Sequence, residues 1–149
     1  MPLMQYEIES QPFDIRPIQL VNREMLTARA KKILIVDDDR DLCLGLHIRL
    51  RADYYDTCFA HDAPSAISTA LSEMPDLVLL DIGLPGDDGY SVIQRMSAFP
   101  LLEGIPVIVM SGRDRFTHEK NSLDAGARRF LPKPIDNLRL LSGIRTLLS

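Results

Sequence analysis

The chain has 149 residues, of which 46% are hydrophobic and 26% charged, and its net charge is −4. That length fits one domain of ordinary size with some additional chain. A duplex DNA-binding protein usually carries a basic face, which this acidic composition does not supply in bulk, so we expect no direct contact with nucleic acid. No apolar run approaches the roughly 20 residues needed to cross a bilayer, and the N-terminus lacks the continuous hydrophobic stretch of a signal peptide. We therefore expect a cytoplasmic protein without a membrane partner.

The first 30 residues differ in pattern from the rest of the chain. Pro12 and Pro17 favour extended, loosely held backbone, and apolar residues at helical spacing predict a short helix over 18–30. We interpret residues 1–30 as an N-terminal extension or linker and residues 31–149 as the folded domain. The alternative for the short helix is a contact with a partner or with a second copy in a homodimer.

From residue 32 onward, short apolar runs alternate with amphipathic stretches of roughly ten residues. This alternation predicts strands at 32–36, 56–60, 76–80, 106–110 and 128–131, and helices at 39–51, 63–73, 89–98, 114–126 and 136–148. The first, third and fourth strands are apolar throughout, as expected when helices cover both faces of a parallel sheet. The second strand is more mixed and suits an edge. Right-handed crossovers then predict an α/β fold, a flavodoxin-like doubly wound sheet with strand order 2-1-3-4-5.

Polar side chains stand at the ends of four of these strands. Asp37 and Asp38 follow the first strand and Asp81 the third, while Ser111 and Lys133 follow the fourth and fifth. Because the carboxyl ends of parallel strands form the ligand crevice of such a sheet, we expect these groups to share one pocket. Clustered carboxylates repel one another unless a cation joins them. Mg²⁺ is a hard cation that binds carboxylate oxygens and phosphate together.

This set of residues suits a Mg²⁺-assisted transfer of a phosphoryl group onto a carboxylate. Asp38 and Asp81 are the candidate direct metal ligands, with the backbone carbonyl of Gly83 close enough to join them. Asp37 is the candidate for a contact through water. Asp81 is also the candidate nucleophile, since it precedes an open turn, and its attack would give an acyl phosphate.

Charge develops on the phosphoryl oxygens during such a transfer, so catalysis is mostly placement and cationic stabilisation. Three groups are expected to stabilise that charge: the Lys133 ammonium, the Ser111 hydroxyl and the Gly112 backbone N–H. The turns that shape the pocket contain Pro85, Gly89 and Pro134, and a cis bond before Pro134 is one option. Arg113 is a further candidate, interpreted as a side chain over the pocket that alters attack by water.

Four motifs in this order resemble one known family: Ile35–Asp39, Leu80–Gly89, Val109–Gly112 and Leu131–Pro134. Over about residues 31–148 the sequence is similar to the receiver domain of two-component response regulators. The resemblance implies that Asp81 accepts phosphate from a phosphohistidine on a sensor histidine kinase or a histidine phosphotransfer protein. It implies Mg²⁺ bound by Asp38, Asp81 and the Gly83 carbonyl, with Asp37 assisting.

The resemblance also implies which residues and which surface respond to phosphorylation. Ser111 and Lys133 would read the phosphate, and Ser111 and Phe130 would act as the switch pair, with the Phe130 ring swinging inward. The responding surface would be helix 4, strand 5 and helix 5. No output domain follows the fifth helix within this chain, so phosphorylation would change the binding of an unknown downstream protein.

Three alternatives to a stand-alone switch are open. The chain could be a receiver fragment of a hybrid histidine kinase or of a larger regulator. It could be a Mg²⁺-dependent phosphatase with an aspartyl-phosphate intermediate, although that chemistry usually wants an acid where this chain has Gly83. A flavin- or nucleotide-binding module would need a first loop rich in Gly, Ser or Thr, and here the loop is acidic. We expect that the protein is not an enzyme and catalyses only its own phosphorylation and dephosphorylation.

Overall fold

The computed structural model describes residues 29–84, 89–112 and 115–149, except for the side chains of residues 115 and 116. The chain divides between Ala30 and Lys31, and the unit Lys31–Ser149 contains almost all of the described residues. The helix predicted over 18–30 lies outside them apart from Arg29 and Ala30, which are not helical. The assignment of residues 1–30 as an extension or linker stays a prediction.

Five parallel strands alternate with five helices in the described chain. The strands are β1 Lys32–Val36, β2 Asp56–Ala60, β3 Leu77–Asp81, β4 Val107–Ser111 and β5 Arg129–Pro132. The helices are α1 Arg40–Ala52, α2 Ala63–Glu73, α3 Gly89–Ala98, α4 Arg115–Ala125 and α5 Asn137–Leu148. The sheet order is β2-β1-β3-β4-β5, with all neighbours parallel. The flavodoxin-like doubly wound sheet predicted from the sequence is therefore confirmed.

The last three strands begin and end one residue later than predicted. Pro106 has no backbone N–H with which to join the sheet, and its carbonyl instead accepts from Val78 at 3.0 Å. Asp81 and Ser111 are the final residues of β3 and β4, where the sheet holds their backbone in place.

Alternate residues of the central strands form two separate apolar cores, as the period of a strand requires. Ile33 and Ile35 of β1 pack with α1 and α5 on one face, and Leu34 and Val36 pack on the other face with α2 and α3. The strands β3 and β4 divide their side chains in the same way. The edge strand β2 is only partly buried, in agreement with its mixed sequence.

Aspartate side chains cap the N-termini of three of the helices. Asp39, Asp62 and Asp136 each accept a hydrogen bond from a backbone N–H in the first turn of α1, α2 and α5. Such caps satisfy donors that a helix cannot satisfy internally, so each helix can begin within a few residues of the preceding strand. The described helices have 10 to 13 residues, and none combines the length and hydropathy needed to span a bilayer.

Gly89 brings the first turn of α3 against the end of β3. A Cβ atom at this position would lie 2.6 Å from the Ile82 Cα atom and 2.8 Å from the Asp81 carbonyl oxygen. The Gly89 N–H donates to the Ile82 carbonyl at 3.1 Å. A side chain at residue 89 would therefore displace the backbone that carries Asp81.

We expect opposite effects from alanine at two helical glycines. Gly45→Ala in α1 should stabilise the protein by about 1 kcal/mol, because alanine favours helix and, apart from the adjoining backbone of α1, no atom lies within 4 Å of its Cβ position. Gly89→Ala should destabilise it by roughly 1–3 kcal/mol through overpacking. Urea unfolding of both variants measures the two changes. Equal stability of the two variants would contradict the close contact at Gly89.

Candidate functional site

Three carboxylates meet at the carboxyl edge of the sheet. Asp37 and Asp38 follow β1, Asp81 ends β3, and one oxygen from each of the three lies within 4.8 Å of the other two. The strands β1 and β3 are hydrogen-bonded neighbours up to the pair Val36 and Leu80, which sets the two strand ends side by side. Asp37 is fully buried, Asp81 is 6% exposed, and Asp38 faces solvent.

Backbone N–H groups orient two of these carboxylates. The Asp39 N–H donates to Asp37 Oδ1 at 2.9 Å, and the Gly83 N–H donates to Asp81 Oδ1 at 2.9 Å. Each loop therefore turns back on the acid that precedes it. The arrangement leaves Asp81 Oδ2 and the exposed Asp38 carboxylate as the oxygens most open to a ligand.

The Lys133 ammonium joins the cluster from the end of β5. Its Nζ atom lies 2.8 Å from Asp37 Oδ2 and 3.6 Å from Asp81 Oδ2. Burial works against the ammonium charge, but the hydrogen bond to Asp37 and the charge of Asp81 outweigh it and raise the pKa of Lys133. The lysine is therefore held charged between two acids.

The ion pair with Lys133 does not fully offset the cost of burying the ionised Asp37 carboxylate. Burial raises the pKa of the Asp37 carboxyl, and the negative charge of Asp81 raises it further, against the lowering effect of the Lys133 and Asp39 hydrogen bonds. The site thus contains more negative charge than its own side chains compensate. A cation is the ligand class that such an excess favours.

The predicted phosphate-reading residues lie at the ends of β4 and β5. Ser111 is 2% exposed, and its carbonyl accepts from the Lys133 N–H at 2.8 Å. Gly112 is exposed, and a Cβ atom there would contact the Lys133 side chain at 3.8 Å. The Lys133–Pro134 bond is cis. The backbone of β4 and β5 therefore fixes Ser111 and Lys133 relative to each other.

The remaining predicted residues divide between the core and the parts of the chain that are not described. Phe130 is 6% exposed, and its ring packs in the apolar core on the side of α2 and α3. Gly89 closes the turn after β3, as described above. Pro85 and Arg113 lie outside the described residues, so their roles stay predictions.

Two polar contacts near the site were missed by sequence reasoning. The His61 Nδ1 atom lies 2.8 Å from the Asp37 carbonyl oxygen, and the Asp37 N–H donates to the Ala60 carbonyl. Farther out, the Tyr90 hydroxyl of α3 lies 2.7 Å from His118 Nδ1 of α4. The predicted strand order places the end of β2 beside Asp37, so the contact of His61 could have been expected from the sequence. No sequence pattern indicated the contact between Tyr90 and His118.

The two cysteines contribute no reactive thiol at this site. Both are free, and burial raises the pKa of Cys43 and of Cys58 to about 11. The Cys43 thiol donates to the Asp37 carbonyl at 3.5 Å, so it packs beneath the site as a protonated group. A thiol needs its thiolate form to act as a nucleophile or metal ligand.

Comparison with known proteins finds one matching family. Residues 33–145 match the model of the response regulator receiver domain. The response regulator PleD of Caulobacter vibrioides is 36% identical over 116 residues, which are 78% of this chain and 26% of PleD. The chain therefore spans about a quarter of that relative.

Solved structures show the same similarity in three dimensions. A CheY-like response regulator receiver domain protein from Methanospirillum hungatei superposes with a TM-score of 0.74 and 29% identity, covering 80% of this chain and 94% of that one. The receiver domain of a signal transduction histidine kinase from Syntrophus aciditrophicus gives a TM-score of 0.73 and 30% identity, covering 80% and 90%.

The raised pKa of Asp37 predicts how stability depends on pH. The folded protein binds this proton more tightly than the unfolded chain, whose pKa is near 3.8. The stability contributed by the protonated form is therefore present below pH 3.8 and is lost as pH rises through the folded pKa. We expect the stability of Asp37→Asn relative to the native protein to increase over that rise.

Urea unfolding from pH 4 to 8 in EDTA measures this difference. Asp41→Asn, in the exposed first turn of α1, is the matched control for loss of one charge. A relative stability of Asp37→Asn that stays constant or falls with pH would show that Lys133 fully compensates the buried carboxylate.

Proposed function

Since this chain belongs to the response regulator receiver domain family of two-component signalling, we propose that it is a phosphorylation-controlled switch with Asp81 as phosphoacceptor. The observation that carries the proposal is the position of the Asp81 carboxylate. One of its oxygens is fixed by the Gly83 N–H, and the other faces Lys133 at 3.6 Å beside two further acids. Residues 31–149 would act as the receiver domain.

The donor set of the cluster fits Mg²⁺. Three carboxylate oxygens within 4.8 Å of one another, one of them on a buried acid of raised pKa, form a site of excess negative charge. Asp38, Asp81 and the Gly83 carbonyl would hold the ion, with Asp37 acting through water. When bound, Mg²⁺ would neutralise negative charge on the phosphoryl oxygens.

In the proposed reaction, Asp81 Oδ2 attacks the phosphorus of a phosphohistidine. An O–P bond forms, the N–P bond breaks, and the electron pair returns to the donor imidazole. The Gly83 N–H holds the other oxygen of the nucleophile in place during the attack. Lys133, and the Ser111 hydroxyl at the end of β4, would then bind the oxygens of the new phosphoryl group.

The polar attachment of α4 supports a response in the α4–β5–α5 surface. Among the described side chains of this helix, residues 117–125, Ser122 alone is fully buried, and it is polar. The helices α1, α3 and α5 bury two or more apolar residues each. Tyr90 holds α4 through a hydrogen bond to His118. Elements with few buried apolar contacts move at the lowest cost.

A sensor histidine kinase or a histidine phosphotransfer protein would supply the phosphoryl group, in the cytoplasm, and a downstream protein would bind the altered surface. The match to a receiver domain of a histidine kinase favours one alternative, in which the chain is a receiver piece of a hybrid kinase. The chemistry at Asp81 would be the same. A phosphatase is disfavoured because residue 83 is a glycine whose N–H already donates to Asp81.

Asp81→Asn should abolish phosphorylation. We expect acetyl phosphate with Mg²⁺ to add one acid-labile phosphoryl group to the native protein, and intact-mass spectrometry measures it. The amide of the variant is a far weaker nucleophile than the carboxylate. Asp41→Asn, an exposed acid on α1, is the control and should label as the native protein does. Labelling that persists in Asp81→Asn would refute the assignment.

Mg²⁺ should stabilise the folded protein through the acidic cluster. At one hundred times its dissociation constant, a ligand of the native state adds about 2.7 kcal/mol. Denaturant unfolding with and without Mg²⁺ measures the gain, which we expect to fall by at least half in Asp38→Asn. The control Asp41→Asn should keep it. An equal gain in all three proteins would place the ion elsewhere.

A further inference from the structure

Four exposed residues of α1 form one stripe along the helix, at the spacing i, i+3, i+7 and i+10 that keeps side chains on a single face. Leu44 and Ile48 lie at its centre with 56% and 60% of their surfaces exposed, and Asp41 and Arg51 lie at its two ends. The face of α1 that packs in the core is a different one, formed by Cys43, Leu46 and Leu50. This helix therefore has a second apolar surface, which the described chain leaves exposed.

The edge strand β2 continues this apolar surface. Phe59 of β2 is 38% exposed and lines a cavity of about 160 Å³ together with Leu44 of α1. The His47 ring of α1 lies edge-on to the Phe59 ring, with the ring centroids 5.7 Å apart, and its Nδ1 atom lies 2.6 Å from Thr57 Oγ1. His47 thus contacts both Thr57 and Phe59, so the middle of α1 lies above the middle of β2.

The backbone of β2 can bind a further strand on its outer side. The Ala60 carbonyl accepts from the Asp37 N–H next to β1, and successive residues of a strand direct their backbone groups to opposite sides. Cys58 therefore also faces β1 with its backbone, whereas Thr57 and Phe59 direct their N–H and C=O groups away from it. In the described sheet β1 is the only neighbour of β2. An edge of this kind is a template for pairing with another chain.

We propose that two copies of this chain associate through β2 and α1, about a two-fold axis that passes Cys58. Antiparallel pairing of β2 with its copy would place Thr57 of each chain opposite Phe59 of the other, and the two pairs would exchange four backbone hydrogen bonds. Because α1 lies above β2, the same axis would bring the two α1 helices side by side and antiparallel, with Leu44 facing Ile48 of the second copy. The contact uses no residue assigned to the phosphoryl chemistry, so it stands or falls separately from the proposed function.

The charges at the ends of the stripe favour a second copy as the occupant of this surface. When Leu44 lies opposite Ile48, the same helix register places Asp41 of one copy opposite Arg51 of the other. Arg51 pairs with Asp56 of its own chain, and its five N–H donors leave room for a second carboxylate. Such exposed pairs determine orientation more than affinity. The surface is thus complementary to itself, as an interface with two-fold symmetry requires.

Analytical ultracentrifugation of the full chain measures the association, and we expect a dimer whose fraction rises with concentration. Leu44→Glu and Ile48→Glu would each bury two carboxylates in the contact, one from each copy, and should raise the dissociation constant of the dimer at least tenfold. Leu138→Glu is the matched control, because it replaces a leucine of α5 that is 78% exposed, and it should keep the native constant. Urea unfolding of all three variants checks that each is folded.

Cysteine cross-linking tests the strand register. At the axis Cys58 would lie opposite Cys58 of the second copy, in a pair without backbone hydrogen bonds whose Cα atoms are about 4.5 Å apart, which suits a disulfide. Burial raises the pKa of Cys58 to about 11, so the oxidant diamide is applied at alkaline pH, where it takes two electrons from the two thiols. It should link native chains through Cys58 but not the variant Cys58→Ser. Adding Thr57→Cys to that variant should not restore the link, because residue 57 would lie opposite Phe59.

Several results would overturn the proposal. A native chain that sediments as a single copy at about 1 mM would have no such contact and would leave the stripe to a different partner. Native affinity in both Leu44→Glu and Ile48→Glu would exclude α1 from the interface, and a dimer that only Leu138→Glu dissociates would lie on α5 instead. A dimer whose chains do not link through Cys58, or that link better through Thr57→Cys, would contradict the pairing of β2.

Discussion

The ion pair between the Lys133 ammonium and the buried Asp37 carboxylate, at 2.8 Å, sets the charge balance of the acidic cluster. It compensates part of the negative charge of the cluster, yet the pKa of Asp37 is still raised, because burial and the neighbouring Asp81 outweigh the pairing. A site with uncompensated negative charge is stabilised by any ligand that neutralises this charge. Binding of a cation and transfer of a phosphoryl group, as proposed above, would both alter that balance, and both would act on the same lysine.

The rest of the fold makes this charge excess tolerable. The central strands are packed by apolar side chains on both faces, so the ends of β1 and β3 stay together although their acids repel. Gly89 adds a close backbone contact behind Asp81, and backbone N–H groups fix one oxygen each of Asp37 and Asp81. The stability contributed by the two cores offsets the cost of holding like charges close together, as is common at sites where function needs unfavourable groups.

The strand order and the meeting of Asp37, Asp38 and Asp81 followed from the sequence because both depend on backbone periodicity and on the handedness of crossovers. The shift of three strands by one residue was missed, because the ends of a strand depend on hydrogen bonds between neighbouring strands, which the local pattern does not reveal. Two side-chain contacts were missed for a different reason. Lys133 lies closer to Asp37 than to Asp81, and Tyr90 contacts His118. Each depends on side chains from elements far apart in sequence, whose distances are decided only when the helices pack.

The position of Lys133 explains why a change at Asp81 would be felt elsewhere in the molecule. A ligand shifts a conformational equilibrium only through contacts that differ between the two states. A phosphoryl group on Asp81 adds roughly two negative charges, and Lys133 would move toward them from Asp37. That move would leave Asp37 buried without its ion pair, so a cation at the neighbouring oxygens and the phosphoryl group should favour each other reciprocally. The lysine is joined through its backbone N–H to Ser111, and β5, which precedes it, carries Phe130 into the apolar core on the side of α2 and α3. Lys133 would thus link the charge balance of the site to the end of β5 and to the core residue that this strand carries.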